Sequence, residues 1–433
     1  MTIHVVKPGE TIQSIADSYG ITPARLIQDN GITIPIELVP GQTLVIVMPE
    51  ITYTVKEGDT LSDIANSYQI TIMELYRNNP YLSDRQYIYP GDELIIKYSR
   101  KGNMVVHGHT YPFLNKDVLK KTLPYLTYLS IINYTASKEG EIKIYSDDTE
   151  VIQLAKEYGV MPLMLLTTLT VQGEPNISLA YEILLNEDFR NRHIDNILVL
   201  LKQKGYYGVN ISLQYINESN LKLYETFFTS VADRIINEGY LVFVTINPNI
   251  SYNNNIVQFD KVNLTFLNKA TNIIFMRYEW ATTSNPPGPV FSVNSMDKYL
   301  DYATDYLSPD SIVIGMPAFG YNWELPYIPN TSKVSSLDVS RALELAKSVG
   351  ATIFFDELSQ TPYFYYTVTD TFSLQQHIVW FMDARSIQSL LYLEDYYYLI
   401  GTGIWNIAFY NPQLWLLINS QYVIEKVLDE MII

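Results

Sequence analysis

The sequence contains no cysteine, which excludes a disulfide scaffold, a thiolate zinc site, an iron–sulfur cluster and a cysteine nucleophile. Histidine is scarce, five in 433 residues, and no two have the spacing of a helical metal motif. No metal and no other cofactor is therefore expected. Basic residues are outnumbered, 29 against 46 acidic, which leaves a net charge of −17 without any local basic run. Nucleic acid is not an expected partner of such a chain. No apolar stretch of the roughly 18 residues needed to span a bilayer is free of charge, so no membrane partner is expected. The opening residues MTIHVVKPGETIQSIADSYG lack a basic segment followed by an apolar one. A secretory signal is not expected, and synthesis in a cytoplasm is. What is present is apolar material, 47% of residues, enough for a sizeable core in two to four domains.

Two copies of one pattern open the chain. HVVKPGETIQSIADSYGITPARLIQDN followed by LVPGQTLVIV is matched by YTVKEGDTLSDIANSYQITIMELYRNN followed by IYPGDELIIK. Each copy starts with a short β-run and turns at Gly9 or Gly58. Thr11 or Thr60 then caps a helix with apolar residues at helical spacing (Ile12, Ile15, Ala16; Leu61, Ile64, Ala65). A second helix ends near Asn30 or Asn79, and a Pro-Gly turn leads into a closing strand.

This βααβ pattern resembles the LysM module, whose members bind N-acetylglucosamine-containing glycans such as peptidoglycan or chitin. The resemblance implies a groove between the first strand–helix loop and the loop after the second helix. In the first copy it implicates Gly9, Glu10, Thr11 and Ile12 with Asn30, Gly31 and Ile32. In the second copy it implicates Gly58, Asp59, Thr60 and Leu61 with Asn79, Pro80 and Tyr81. The bland reading is that these residues only turn and cap the chain. Two modules joined by the short link Met48–Ile51 would gain avidity on a polymer.

After a polar join at Tyr98–Gly102, apolar β-runs alternate with helical patterns. The strands are read at Met104–His107, Leu126–Ile132, Pro162–Thr167, Gly208–Ser212, Leu241–Ile246, Asn272–Tyr278, Ile312–Pro317 and Gly403–Asn406. Near-continuous apolar runs are what parallel strands covered on both faces require. Eight of them with intervening helices predict a (β/α)8 TIM barrel of the α/β class. The long gap before the last strand predicts an α+β insertion between strands 7 and 8. The expected division is 1–49 and 50–98 for the modules and 102–433 for the barrel, with the insertion at about 320–390.

The segments PYLTYLSIINY, MRYEW, MPAFGYNWELP, VWFMDARSIQ and GTGIWNI resemble glycoside hydrolase family 18. Among its members the likeness is to the LysM-bearing spore-cortex and spore-germination N-acetylglucosaminidases of spore-forming bacteria. The resemblance implies cleavage of β-1,4 bonds beside N-acetylglucosamine, assisted by the substrate's own acetamido oxygen. It also implies a Glu at the end of the fourth strand that protonates the leaving oxygen, and an Asp two residues earlier that orients the acetamide.

The family signature there is Asp-Gly-Ile-Asp-Leu-Asp-Trp-Glu. This chain has Tyr207, Gly208, Val209, Asn210, Ile211, Ser212, Leu213 and Gln214. Every acid is replaced by a neutral residue, at Tyr207, Asn210, Ser212 and Gln214. An amide has no titratable proton to give a glycosidic oxygen, and loss of a general acid costs about 10²–10⁴ in rate. No catalytic residue is therefore assigned. Glu279, or Asp383 in the insertion, could face the cleft as a relocated acid; the favoured reading of Glu279 is a retained binding or structural carboxylate. Tyr278, Glu279, Trp280, Trp323 and Trp405 are the expected sugar contacts at the barrel mouth, with rings that stack on the apolar face of a sugar or, on the bland reading, simply pack the barrel top. Arg277 stands where the family usually has Thr.

The expectation is thus a peptidoglycan-binding or N-acetylglucosamine-binding protein of the spore coat or cortex surface, whose barrel does not cut. Two alternatives stand beside it. One is an active N-acetylglucosaminidase with a relocated acid. The other is a self-assembling coat or lattice protein, with itself or other spore-coat proteins as partners. The 36 tyrosines fit interfaces as well as they fit codon bias.

Overall fold

Two small modules precede a closed barrel in the computed structural model, which describes residues 1–428 except 34–36, 86, 168–176, 214–215, 248–249, 254–255, 277–285, 330 and 371–372. In the first module the strands Thr2–Val5 and Thr43–Ile46 pair antiparallel around the helices Ile12–Tyr19 and Pro23–Asn30. Thr11 accepts the Ser14 N–H in a capping box, and Gly20 and Gly31 close the two helices in the left-handed region. The second module repeats this with strands Ile51–Thr54 and Glu93–Lys97 and helices Leu61–Ser67 and Ile72–Asn78, and Thr60 and Thr71 cap the helices. Each module has its own small core, Ile15, Leu26 and Leu44 in the first and Ile64, Leu75 and Leu94 in the second.

Eight parallel strands then close on themselves: β1 (Gly102–Thr110), β2 (Tyr128–Ala136), β3 (Met161–Thr167), β4 (Gly208–Leu213), β5 (Leu241–Ile246), β6 (Asn272–Phe275), β7 (Ile312–Pro317) and β8 (Gly401–Trp405). The pairing of β1 with both β2 and β8, through His107↔Tyr128 and His107↔Gly403, completes the ring. The strands run apolar along their length because barrel and helices cover both faces; all six residues of β7 are buried. All eight fall where the sequence places them, to within a few residues at the ends; Arg277 and Tyr278, read into the sixth, lie outside the described residues.

Between β7 and β8 lies the α+β insertion. Its five-stranded antiparallel sheet is built from Gly320–Leu325, Val334–Leu337, Phe354–Asp356, Thr361–Asp370 and Ser373–Trp380, with the helix Val339–Ser348 beside it. Among the described residues, no helix is long and apolar enough to cross a membrane.

The modules are not beads on a string. Val45 and Ile95 from their closing strands, with Val47 just after the first, belong to the same apolar core as the barrel. One barrel helix, Pro412–Gln421, bonds to both modules. Its Gln413 amide donates to the Asn30 side chain (3.0 Å) and the Thr43 carbonyl (2.7 Å), and its Asn419 amide donates to the Asn78 side chain (2.9 Å). This helix is buried on nearly every side, which its sequence PQLWLLINSQ reflects. Arg100 adds an ion pair to Glu74 at 2.5 Å, and the Tyr125 hydroxyl donates to the Arg77 carbonyl. The first module's Pro-Gly turn is wedged against the insertion. The Ile353 N–H donates to the Pro40 carbonyl, and a Cβ at Gly41 would overlap the Ile353 carbonyl.

Candidate functional site: the barrel mouth and the first module

Among the described residues, the floor of the barrel around Asn210 is polar but uncharged. On β4, Asn210 points inward and is fully buried. Its amide donates to Ser130 Oγ on β2 (3.0 Å) and its carbonyl accepts from Thr245 Oγ1 on β5 (2.9 Å). Ser130 Oγ is bonded in turn to His107 Nε2 at 2.7 Å. His107 stacks on His109, with centroids 4.7 Å apart, and His109 lies 5.5 Å from the Trp405 ring. Burial holds both imidazoles neutral. It pushes His107 well below the ordinary value, aided by His109, and brings His109 to about 3 in spite of its bond to the Ile404 carbonyl. His107 Nδ1 and His109 Nε2 have no partner among the described residues.

The replaced motif positions do not all converge. Tyr207 precedes β4 at the closed end of the barrel. Its backbone pairs with Pro162 and Leu241, and its ring lies under Lys156 Nζ at 5.5 Å. Ser212 is half-buried near the end of β4, in register with Thr245. Gln214, Tyr278, Glu279 and Trp280, with Arg277, lie outside the described residues.

Trp405 ends β8 at the mouth. It lines a cavity of about 240 Å³ together with Phe319, Tyr321, Asp338, Arg341 and Phe409. Asp338 is a carboxylate on this wall, and it is spoken for: it caps the helix Val339–Ser348 by accepting the Arg341 N–H at 2.9 Å. The wall offers ring faces and hydrogen-bonding groups, which suits holding a sugar.

Two residues expected near the cleft lie elsewhere. Trp323 is fully buried inside the insertion's own cluster with Ile378, Tyr363 and Trp380, because it alternates inward on an antiparallel strand. It presents no face to a ligand. Asp383 caps the helix Ala384–Tyr397, accepting the Arg385 and Ser386 N–H groups, and is clamped by the Arg385 guanidinium at 2.7 and 3.0 Å. The same guanidinium reaches the Gly41 carbonyl of the first module. Asp383 is therefore a docking residue, not a relocated acid.

In the modules, Gly9, Thr11, Gly31, Gly58 and Thr60 are exposed, and Glu10, Ile32, Asp59, Leu61, Pro80 and Tyr81 are half-buried. The Glu10 and Asp59 carboxylates close their turns by accepting the Lys7 and Lys56 N–H groups, both at 2.7 Å. These backbone bonds hold both carboxyls below the usual range, and the His4 and Tyr53 side chains add to the effect. Ile12 and Asn79 are corrected: they face inward. Asn30 is buried too, but it also borders a cavity between the module and the insertion helix. Ile12 packs in the module core. Asn30 donates to Leu26 and Val45 carbonyls and accepts the Val45 N–H, and Asn79 does the same with Leu75 and Ile95. Both staple the second helix to the closing strand.

Sequence reasoning missed the interior line His107–Ser130–Asn210–Thr245 and the mouth residues Phe409 and Arg341. The first had a signal: in HGHT, polar residues at period two interrupt an apolar strand, as an inward-facing polar pair does. Among the described residues, no group of three or more His, Asp or Glu could hold a metal ion.

Comparison with known proteins agrees with this architecture. The cortical fragment-lytic enzyme of Bacillus subtilis (strain 168) is 28% identical over 433 residues, covering 98% of this chain and 99% of that protein. The crystal structures of the spore cortex-lytic enzyme SleL from Bacillus cereus and Bacillus megaterium superpose with TM-scores of 0.78 and 0.79 at 26% and 27% identity. Each covers 98% of both chains. LysM domain models match residues 4–47 and 53–97, and the model of glycosyl hydrolases family 18 matches residues 163–409, from β3 past β8. With more than half of its length matched and its barrel closed in the same way, the chain belongs to glycosyl hydrolases family 18 and carries two LysM domains ahead of the barrel.

Proposed function

We propose that this protein binds N-acetylglucosamine-containing glycan of the spore peptidoglycan without cleaving it. The observation that carries the reading is the neutral fourth strand. Asn210 sits in a closed chain of uncharged partners, Ser130, Thr245 and His107, where the family has a carboxylate. Ser212 and Gln214 bring no acid to the positions that orient the acetamide and protonate the leaving oxygen. The two LysM domains and the Trp405 wall remain as glycan-holding elements. The sporulation and cortex named for the relatives support a target in the spore cortex or coat.

A second reading is favoured by the relatives' printed names, which describe lytic enzymes. On that reading the barrel cleaves with Glu279 as the relocated acid. One experiment separates the two. The purified full chain is incubated with cortex fragments and with N-acetylglucosamine oligomers, beside Glu279→Gln and the acid-restored variant N210D/S212D/Q214E. The first reading expects binding, no product from the natural chain, and product from the restored variant. Restoration is feasible at the floor, because Ser130 can turn its hydroxyl toward a carboxylate at position 210 while accepting the His107 Nε2 proton. The gain expected from the acid alone is about 10²–10⁴. Product from the natural chain that disappears in Glu279→Gln would establish the second reading.

A further inference from the structure

We propose that the first LysM domain and the barrel mouth form one continuous glycan trough, so that a single oligosaccharide run lies across both. The proposal rests on the glycan-binding reading above and deepens it.

Next to the Trp405 cavity lies a second one of about 130 Å³. Its walls are Gly31, Ile32 and Thr33 of the first module on one side and Ser340, Leu343 and Lys347 of the insertion helix on the other. The two cavities share Ala318, Asp338 and Phe409. They are therefore neighbours along one groove, with the 44%-exposed Phe409 ring standing at the junction. At the far side an ion pair between Lys347 and Glu37, 3.2 Å, ties the insertion helix to the module.

The groove is rigid. Gly31 packs so tightly on Pro412 that a Cβ would overlap its ring, and Gly41 does the same against Ile353. Neither end of this module segment, Asn30–Gly31 or Pro40–Gly41, can move away without breaking the Gln413 and Ile353 hydrogen bonds. A site held this way spends little free energy on ordering when a ligand arrives.

The lining fits a neutral, chain-like sugar polymer. Rings at Trp405 and Phe409 offer stacking faces, and Asn406, Ser336 and Arg341 offer hydrogen bonds. Acidic and basic groups are interleaved rather than gathered, with Glu37 and Glu344 beside Lys347 and Arg341. Such a lining suits hydroxyl and acetamido groups better than a polyanion. The class of ligand is a β-linked N-acetylhexosamine oligomer long enough to reach from Trp405 to Thr33. Asn79, Pro80 and Tyr81 of the second module border neither cavity.

The test is calorimetric titration of the full chain with N-acetylglucosamine oligomers from dimer to hexamer, repeated with Thr33→Trp and Ser340→Trp. Both side chains are exposed, so a tryptophan fills the groove without entering a core. The natural chain should bind the hexamer about tenfold or more tighter than the trimer, as a second contact region is reached. Each tryptophan variant should bind the trimer normally and lose that gain. A hexamer no tighter than the trimer, or a gain that survives in both variants, overturns the trough alone. No binding at any length overturns the glycan-binding reading as well.

Discussion

Asn30→Ala separates a staple from a sugar contact. The Asn30 side chain makes four hydrogen bonds: to the Leu26 carbonyl (3.0 Å), to both backbone groups of Val45 (2.9 and 2.6 Å) and from Gln413 (3.0 Å). Leu26 keeps its helical bond and Gln413 keeps the Thr43 carbonyl, but the Val45 N–H and C=O are left bare beside a fully buried side chain. Two orphaned buried groups cost about 1–3 kcal/mol each, and partial entry of water puts the sum near 2–4 kcal/mol. At about 1.4 kcal/mol per tenfold, the Val45 amide should exchange with deuterium roughly 30- to 1,000-fold faster. Asn79→Ala should do the same to Ile95, whose N–H and C=O it holds at 2.8 Å. The Asn30 variant should also loosen the Pro412–Gln421 helix, since only Asn30 is bonded to it directly among the hydrogen bonds of these two side chains. Peptide-resolved hydrogen exchange reads all three effects. Exchange within threefold of the natural chain, coupled to loss of glycan affinity, would show that Asn30 faces the ligand and would refute the reasoning.

Asp148→Asn should cost about 3–5 kcal/mol at neutral pH in urea unfolding, because the buried carboxylate is ringed by Tyr134, Tyr206 (2.6 Å), Lys204 (2.9 Å) and Asn133 (3.1 Å). Burial raises its pKa, but those bonds together outweigh burial and leave it lowered. Its contribution is therefore present above the unfolded carboxyl value and lost as pH falls through the folded one, so the variant's acid limb should be flatter; an unchanged limb would contradict this. His109 and His193, lowered by burial to about 3 and about 4, should show no imidazole titration by NMR between pH 5 and 8. Both stay neutral in the fold while the unfolded chain takes up protons below about 6.5, so their effect is to remove stability as pH falls. Gly41→Ala should undock the first module from the insertion and cost well over the roughly 1 kcal/mol expected for Gly9→Ala, which has the same left-handed backbone but open space around it; equal melting losses would contradict the docking.

The barrel was legible because its strands announce themselves. A run such as IVIGMP, buried at every position, has few alternatives once it recurs with helices between. The modules were legible because Thr11 and Thr60, and the glycines before them, recur at matching places with a local mechanism. Side-chain direction was not legible. Asn at the end of a helix can face a groove or reach back to a strand, and only the strand brought alongside decides. Trp323 in GYNWEL could sit on either face of its strand, and the pairing with Ser373–Trp380 turned it inward. Asp383 was misread for want of a local rule already at hand: Asp-Ala-Arg-Ser ahead of an apolar-periodic run is a helix start. Some of the module–barrel bonds join residues more than 300 positions apart, such as Asn30 and Gln413, which no local pattern encodes.

Docking changes what two LysM domains can do for the barrel. On a loose tether they would raise affinity through effective concentration, and each would sample many orientations. Here the closing strands of both share the barrel's apolar core, and one helix is bonded to each. Gly31, Ile32 and Thr33 are thereby placed beside the insertion helix and Phe409. If the proposed trough holds, a polymer strand seated in the first module would reach Trp405 in one register and direction, with the ordering cost met during folding. For a barrel that cuts, this would set which bond is reached. For a barrel that only binds, as proposed from Asn210 and Ser212 in place of acids, the same geometry would make a long clamp whose affinity depends on grip and length.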